Sequence, residues 1–254
     1  MPGDERTQTP RGGLIPGPAD GPDILAKGEI EILGLLPNAS NYTFLTKVTR
    51  PGSDEEQILA VYKPRRGEQP LWDFPDGTLC RREVAAYEVS HALGWPSIPP
   101  TILRDGPEGE GALQLFIEAD PEQHFFTMQG PEHEDAFMRI AAFDAVVNNA
   151  DRKGGHCLLG ADDRIWVVDH GVCFAVEPKL RSVIWDFAGT PIPEELLSDL
   201  ENLLTQITGK GLGLRLTDLL SDDEVAAAAE RVRVLLQERT FPEPSGRAYP
   251  WPPV

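Results

Sequence analysis

The sequence is poor in cysteine and has no long hydrophobic run. Its three cysteines, Cys80, Cys157 and Cys173, are odd in number and form no C-x-x-C pair, so neither a disulfide framework nor a zinc knuckle is indicated. No apolar run approaches the roughly 20 residues that cross a bilayer. The first residues, MPGDERTQTPRGG, lack the apolar core of a signal peptide. We therefore expect a cytoplasmic protein with no transmembrane segment.

Positive charge is also scarce. The chain has 23 lysines and arginines against 41 aspartates and glutamates, and its net charge is -18. Such a chain repels the phosphates of nucleic acids and anionic membrane surfaces, so nucleic acid is not an expected partner. No polybasic cluster or amphipathic helix supports a peripheral contact with lipid. A phosphate-bearing ligand must therefore meet a local concentration of basic side chains.

The common glycine-rich phosphate motifs are absent. The stretch GKGLG, residues 209–213, fits neither the Walker spacing nor G-x-G-x-x-G after a strand, and is interpreted as a loop that ends a helix. The loop at 36–41 contains no glycine either. Its backbone N–H groups and the Ser40 hydroxyl could still cover phosphates, although this signal is weak.

The order of the predicted elements indicates an α+β fold with two lobes. Strands are predicted first and helices later, rather than in alternation, and a cleft is expected between the lobes. The chain divides into an N-terminal tail at 1–22, a first lobe at 23–118, a second lobe at 119–240 and a Pro-rich tail at 241–254. Alternation and turn residues predict first-lobe strands at 28–36, 41–49, 57–64, within IPPTILRD and at 111–118, with one helix at 80–93.

The second lobe is predicted to be mostly helical. A helix is predicted over PEHEDAFMRIAAFDAVVNNA, with Pro131 at its first position and Asp151 at its end. HCLLG and RIWVVDH, joined by ADD, are predicted to form a hairpin. Two further helices are predicted in PEELLSDLENLLTQI and SDDEVAAAAERVRVLLQER, the second beginning with a capping box from Ser221 to Glu224.

The hairpin predicts that three polar residues converge. If 156–160 pairs with 164–168, then His156 lies opposite residue 168, and His156 and Asp169 emerge at the same end. The flexible Gly154-Gly155 lets Asp151 turn back towards them. One carboxylate suits a hard divalent cation and another can orient an attacking hydroxyl, as phosphoryl transfer requires. The alternative is that Asp151 caps a turn, His156 is a half-buried histidine and Asp169 closes the hairpin.

Lys63 ends an apolar stripe in the first lobe. The period of two places Leu59, Val61 and Lys63 on one face of the strand ILAVYKP. Glu83 on the following helix could pair with Lys63 and leave its ammonium to meet a phosphate. The alternative is an edge lysine that reaches into solvent and a solvated glutamate.

These motifs, in this order, resemble the phosphatidylinositol 3- and 4-kinase group of atypical kinases, and most closely the type II phosphatidylinositol 4-kinases and their small actinobacterial relatives. The resemblance covers roughly residues 28–190. VYKP is similar to the lysine strand that contacts nucleotide, and RREVAAYEVSHALGWPSIPPT to the Glu-bearing helix and the strand after it. NADRKGGHCLL is similar to the catalytic loop, and VVDHGVCF to the D-x-G metal motif.

The resemblance implies a two-lobed, protein-kinase-like fold and roles for individual residues. Lys63 would contact the phosphates of ATP and Glu83 would orient it. Asp151 would be the catalytic aspartate, with Arg152 supporting its loop, and Asp169 would hold the metal. The stretch QLFIE, with Gln114, Phe116 and Ile117, would be the hinge whose backbone holds adenine.

Two departures from the family bear on cofactors and turnover. His156 stands where the family usually has asparagine, and an imidazole is a softer ligand, so Mn²⁺ could serve better than Mg²⁺ or a second metal could be absent. The phosphate-covering loop lacks glycine. The leading hypothesis is a kinase that transfers the γ-phosphate of ATP to a hydroxyl of a protein, small polar metabolite or lipid headgroup. The alternatives are a nucleotide-binding pseudokinase that acts as an interaction module, and a metal hydrolase built on His156, Asp151 and Asp169.

A segment after the metal motif is the candidate for acceptor contacts. Residues 175–192 correspond to the activation loop of the kinases that the chain resembles, and Lys179 and Arg181 could meet an anionic headgroup. The alternative is that both basic side chains are simply solvated.

Overall fold

The N-terminal part of the chain is a five-stranded antiparallel sheet. The computed structural model describes residues 21–37, 41–53 and 56–254. Its strands are β1 Glu29–Leu35, β2 Phe44–Thr49, β3 Gln57–Pro64, β4 Thr101–Gly106 and β5 Gly109–Leu115. They lie in the order β1, β2, β3, β5, β4, so the first three form a meander and the β4–β5 hairpin pairs with β3 through β5. The strand predicted at 111–118 ends at Leu115, where the chain leaves the sheet.

The C-terminal part is mostly helical, as predicted, and the α+β fold class is confirmed. The helices are α1 Gly21–Lys27, α2 Leu79–Leu93, α3 Glu134–Val147, α4 Glu194–Ile207, α5 Leu212–Thr217 and α6 Asp222–Glu238. Strands β6 Cys157–Leu159 and β7 Ile165–Val167 form the predicted hairpin. The capping box from Ser221 to Glu224 is present at the start of α6. Within the described ranges, no helix is both long and apolar enough to cross a membrane.

Helix α3 is shorter at both ends than predicted. Pro131 is not at its first position, because residues 131–133 form a turn before Glu134. Asn148 ends the helix in the left-handed region with φ 52, a conformation that asparagine tolerates better than most residues. Its side-chain amide donates to Glu177 O at 2.7 Å, which fixes the helix end. Asp151 consequently lies in the loop beyond the helix.

Two short helices were not predicted. Helix α1 places the fully buried Leu25 against the sheet, and α5 begins at Leu212 inside the stretch interpreted as a loop. Leu212 and Leu216 of α5 are buried in the core of the helical part. Both helices are too short to show a clear period of 3.6 in the sequence, and burial of a few leucines stabilises them instead.

Residues 241–254, predicted to be a Pro-rich tail, lie along the helical part. Ala248 is buried, and its carbonyl accepts hydrogen bonds from Ser182 N at 3.0 Å and Trp185 Nε1 at 3.1 Å. Further on, Pro253 O accepts from Gly154 N at 2.8 Å. The end of the described chain therefore contacts the loop that carries Asp151.

Candidate active site

A cleft between the sheet and the helical part contains most of the predicted site residues. The cavity has a volume of about 780 Å³. Ser40 lies outside the described residues, and Arg152 is buried behind the cleft. The other predicted site residues all line the cavity: Lys63, Glu83, Gln114, Phe116, Ile117, Asp151, His156 and Asp169.

Lys63 is held by two carboxylates. The alternation of β3 buries Ile58, Ala60 and Tyr62 on one face and leaves Lys63 half-buried on the other. Its ammonium contacts Glu83 Oε1 and lies 3.0 Å from Asp169 Oδ1. Burial opposes the charged form, but the carboxylates of Asp169 and Glu83 more than offset this and raise the pKa of Lys63. Lys63 is therefore a fixed cation.

Glu83 connects the lysine to the backbone beside Asp169. Its side chain is 3% exposed, and its second oxygen accepts a hydrogen bond from His170 N at 3.0 Å. One buried carboxylate thus positions both Lys63 and the segment that carries Asp169.

Asp169 follows β7 in a left-handed backbone conformation with φ 62, which is uncommon for a residue other than glycine and is often found at functional sites. Its carboxylate is 52% exposed and faces the cavity. The ammonium of Lys63 holds the pKa of Asp169 well below its usual range, against the effect of burial. Asp169 is therefore an ionised oxygen donor in the cleft.

His156 lies beside Asp169, as the hairpin register predicted. Cys157 pairs with Val167, and Val168 N donates to His156 O at 3.0 Å. His156 Nε2 is 3.3 Å from Asp169 Oδ2. Burial lowers the pKa of His156 to about 4, so the ring is neutral. Its Nδ1 accepts a hydrogen bond from Lys153 N at 3.4 Å, which places the ring proton on Nε2, directed at Asp169.

Asp151 lies in the loop after α3 with its carboxylate in the cavity. Its N–H donates to Asn149 Oδ1 at 3.0 Å, which fixes the backbone, and Lys153 Nζ is 3.5 Å from Asp151 Oδ2. Burial raises the pKa of Asp151 to about 6, and the charge of Lys153 opposes the rise. Such a carboxylate is mostly ionised at neutral pH and is basic enough to accept a proton.

Arg152 joins three segments from behind the cleft. Its guanidinium binds Asp144 of α3 through Nε to Oδ2 at 2.9 Å and Nη2 to Oδ1 at 3.0 Å. It also donates to Val168 O at 3.0 Å and contacts His170 Nε2 at 2.7 Å. Arg152 therefore does not line the cavity, and it fixes the loop on which Asp151 lies.

Sequence reasoning missed three residues that build the site. Asp144 and Asn149 form the buried network around Arg152, and Lys153 is the cation beside Asp151. Asp144 could have been identified from the sequence, because it falls on the apolar face of α3 and a buried carboxylate needs a cationic partner. No sequence pattern identified Lys153 or Asn149.

One of the two predicted acceptor contacts is already engaged within the protein. Lys179 Nζ lies 2.7 Å from Asp73 Oδ2 and packs over the ring of Phe74. Its side chain is 14% exposed. Lys179 therefore joins the segment before α2 to the segment after Asp169.

The carboxylates of the cleft suit a metal ion that is bound partly by the protein and partly by the phosphates of a substrate. Within the described residues, no three His, Cys, Asp or Glu side chains are arranged to bind one metal ion. Asp169 offers carboxylate oxygens, and Mg²⁺ in phosphate-transfer sites is commonly held by one or two carboxylates together with substrate phosphates. The cleft fits that arrangement.

A protein of Mycobacterium tuberculosis, protein Rv2133c, is 39% identical to the chain over 270 residues. The match covers 90% of the chain and 94% of that protein. The chain belongs to the Rv2133c family. No protein-family model matches it.

Solved structures that resemble the chain include kinases. The Golgi casein kinase with Mn/ADP bound has a TM-score of 0.58 at 14% identity, over 93% of the chain and 80% of that structure. A hydra Fam20 structure with sugar has 0.54 at 14% identity, over 85% and 86%. The Helicobacter pylori proinflammatory kinase CtkA has 0.50 at 12% identity, over 84% and 93%. These likenesses show an atypical kinase-like fold, and the narrower resemblance to phosphatidylinositol kinases stays a prediction.

Proposed function

We propose that the chain is an ATP-dependent phosphotransferase that transfers the γ-phosphate to a hydroxyl group. The observation that carries the proposal is the convergence of Lys63, Asp169 and Asp151 on one cavity, with a fixed cation, an ionised carboxylate and a carboxylate of raised pKa. The same fold occurs in solved kinases, one of which holds Mn/ADP. Phosphoryl transfer needs these three kinds of group and little covalent chemistry from the protein.

Lys63 would bind the nucleotide phosphates. Its ammonium is oriented by Glu83 on a buried helix face, so little side-chain freedom is lost when a phosphate replaces part of the contact with Asp169. Release of Asp169 from Lys63 would free its oxygens towards the phosphates.

Asp151 would orient the acceptor hydroxyl and take its proton. Its backbone is fixed by Asn149, and Arg152 fixes the loop from behind. Lys153 lies 3.5 Å from Asp151, and its charge limits the rise in the pKa of that carboxylate. It also adds positive charge where the phosphoryl group would pass.

Asp169 is the residue that would hold Mg²⁺ or Mn²⁺, and a divalent ion there would neutralise charge on the nucleotide phosphates. His156 was predicted as a second ligand. Its Nε2 proton faces Asp169 in this structure, so ligation through that atom requires the other tautomer. The proposal therefore requires only the metal ion at Asp169.

The acceptor would carry a hydroxyl group and would approach Asp151. Lys153 lines the cavity there, and the charge of Arg181 acts on Asp151. Because Lys179 is paired with Asp73, the basic surface for a lipid headgroup is smaller than the sequence suggested. A protein or small polar metabolite remains at least as well supported.

A second candidate function is a nucleotide-binding pseudokinase. The contact of His156 with Asp169 favours it, because this contact occupies one oxygen of the only carboxylate proposed to hold the metal. Such a protein would bind nucleotide but transfer no phosphate.

Transfer from γ-labelled ATP to protein or small-molecule acceptors in an extract, with Mg²⁺ or Mn²⁺, tests the proposal. Wild-type protein should give labelled product, and Asp151→Asn should give at least about 100-fold less. Asp76→Asn, at an exposed carboxylate, is the matched control and should keep activity. ADP binding without any labelled product identifies the pseudokinase, and absence of both binding and transfer excludes both functions.

A further inference from the structure

Gln114 is a polar side chain of the sheet that faces the cleft. It lies on β5 opposite Val61 of β3, is buried and lines the cavity. Its amide nitrogen Nε2 donates a hydrogen bond to Thr101 Oγ1 at 2.8 Å. Because a half-turn of an amide exchanges its nitrogen and oxygen, the direction of this bond needs independent support.

Thr101 supplies that support. Its hydroxyl donates to Pro99 O at 2.7 Å, and a hydroxyl has only one proton. With that proton engaged, Thr101 Oγ1 can only accept, so the nitrogen of Gln114 must face it. The carbonyl oxygen Oε1 is the amide atom left to face the cavity.

The surroundings of Gln114 suit a flat ring. Apolar side chains line the cavity, with Val61 of β3 and Leu36 after β1 from one part of the chain, and Leu158 of β6 and Val168 after β7 from the other. Val61 precedes Lys63 by two positions, or about 7 Å along a strand. A nucleotide with its phosphates at Lys63 can therefore place its base in this slot.

The nearby backbone offers fewer donors than the sequence suggests. The N–H of Phe116 already donates to Leu59 O at 3.0 Å, so it cannot also serve a base.

We propose that Gln114 Oε1 selects adenine by accepting a hydrogen bond from its exocyclic 6-amino group. The inference rests on the proposed function, since it assumes a nucleotide in the cleft, and it adds the residue that determines the base. Guanine and hypoxanthine carry a 6-oxo group, which would place two acceptors against each other and leave both unpaired. We expect such bases to bind about 10- to 100-fold more weakly.

Titration calorimetry of the full chain with ADP and with inosine diphosphate, each with Mn²⁺, tests this inference. The two ligands differ at the 6-position and in the hydrogen that hypoxanthine carries on the adjacent N1, and the wild type should prefer ADP. Only the part of the preference that arises at the 6-position depends on Gln114. Gln114→Met, of similar size and without an amide, should remove that part of the preference. Thr101→Val should also reduce it, because the freed amide can turn and offer its nitrogen to the 6-oxo group.

Thr46→Val is the matched control. Thr46 is equally buried in the same sheet, and its hydroxyl donates to Ala60 O at 2.9 Å. This variant should lose similar stability and keep the preference for ADP. Equal binding of both ligands by the wild type, or full preference in Thr101→Val, overturns the inference while leaving a nucleotide site in place. Binding of neither ligand overturns the proposed function as well.

Discussion

Arg82 and Glu224 form a buried ion pair that joins helix α2 to helix α6. The Arg82 side chain is 1% exposed, and its Nη1 also donates to Cys173 O at 2.6 Å, in the segment that follows Asp169. The next residue along α2 is Glu83, the partner of Lys63. The helix that positions Lys63 is thus attached to the helical part of the chain, and its placement does not depend on the sheet alone.

We expect Arg82→Met to lower the free energy of unfolding by about 3–5 kcal/mol, because it leaves the Glu224 carboxylate without its buried partner. ADP binding by the folded fraction should weaken as well, since Glu83 is held less firmly. Denaturant unfolding and calorimetry measure the two effects. Arg215→Met is the control, because its pair with Glu88 at 2.6 Å leaves Arg215 half exposed and should contribute at most about 1 kcal/mol. Unchanged ADP affinity in folded Arg82→Met would contradict the attachment role.

The pH dependence of transfer should follow Asp151. Its pKa is raised to about 6 by burial and held down by Lys153, and only the carboxylate can accept a proton. We therefore expect kcat/KM to fall as the pH drops through about 6. Lys153→Met removes a charge that favours the carboxylate, so its acid limb should move to higher pH. Lys27→Met, at an exposed lysine, should leave the profile in place, and an unmoved limb in Lys153→Met would refute the assignment.

Asp151 should also cost stability at neutral pH. Its pKa in the folded protein lies above the ordinary value of 3.8, so ionisation is less favourable in the folded than in the unfolded chain. The cost is absent below pH 4 and fully present above pH 6. Because the carboxylate is 34% exposed, we expect Asp151→Asn to stabilise by only about 1–2 kcal/mol at pH 8. Thermal unfolding at pH 4 and pH 8 measures this, and an equal gain at both values would count against a raised pKa.

Deletion of residues 251–254 should affect activity more than stability. Trp251 and Val254 are exposed, so little burial is lost. The deletion removes the carbonyl of Pro253 from Gly154 N, which frees the loop that carries Asp151. We expect a melting temperature within a few degrees of the wild type and transfer reduced about 3- to 10-fold. Phe241→Ala, at a buried ring, should instead lower the free energy of unfolding by about 3–5 kcal/mol and affect transfer by the folded protein less.

Much of the cleft could be predicted because short-range rules determine it. The alternation in β3 placed Lys63 on the same face as Leu59 and Val61, and the three-residue turn of the hairpin fixed His156 opposite Val168. Both inferences need only a strand period and a turn length. The flexible Gly154-Gly155 indicated that Asp151 turns back to the same end, and the resemblance to known kinases added the catalytic role expected of it.

Contacts between segments far apart in sequence could not be predicted. The pair of Lys179 with Asp73 spans 106 positions, and that of Arg82 with Glu224 spans 142. Nothing in the local pattern identifies which carboxylate such a cation will meet. The predicted start of α3 was wrong for a related reason, since a proline suits the first helical position but equally suits a preceding turn.

The strand order has a consequence for local opening. Lys63 lies on β3, which is hydrogen-bonded on both sides, whereas β1 is an edge strand with mostly exposed side chains. Amide hydrogen exchange should therefore be slowest in β3 and fastest in β1, with β2 between them. Strand β1 can therefore open locally while Lys63 and its carboxylate partners stay in contact.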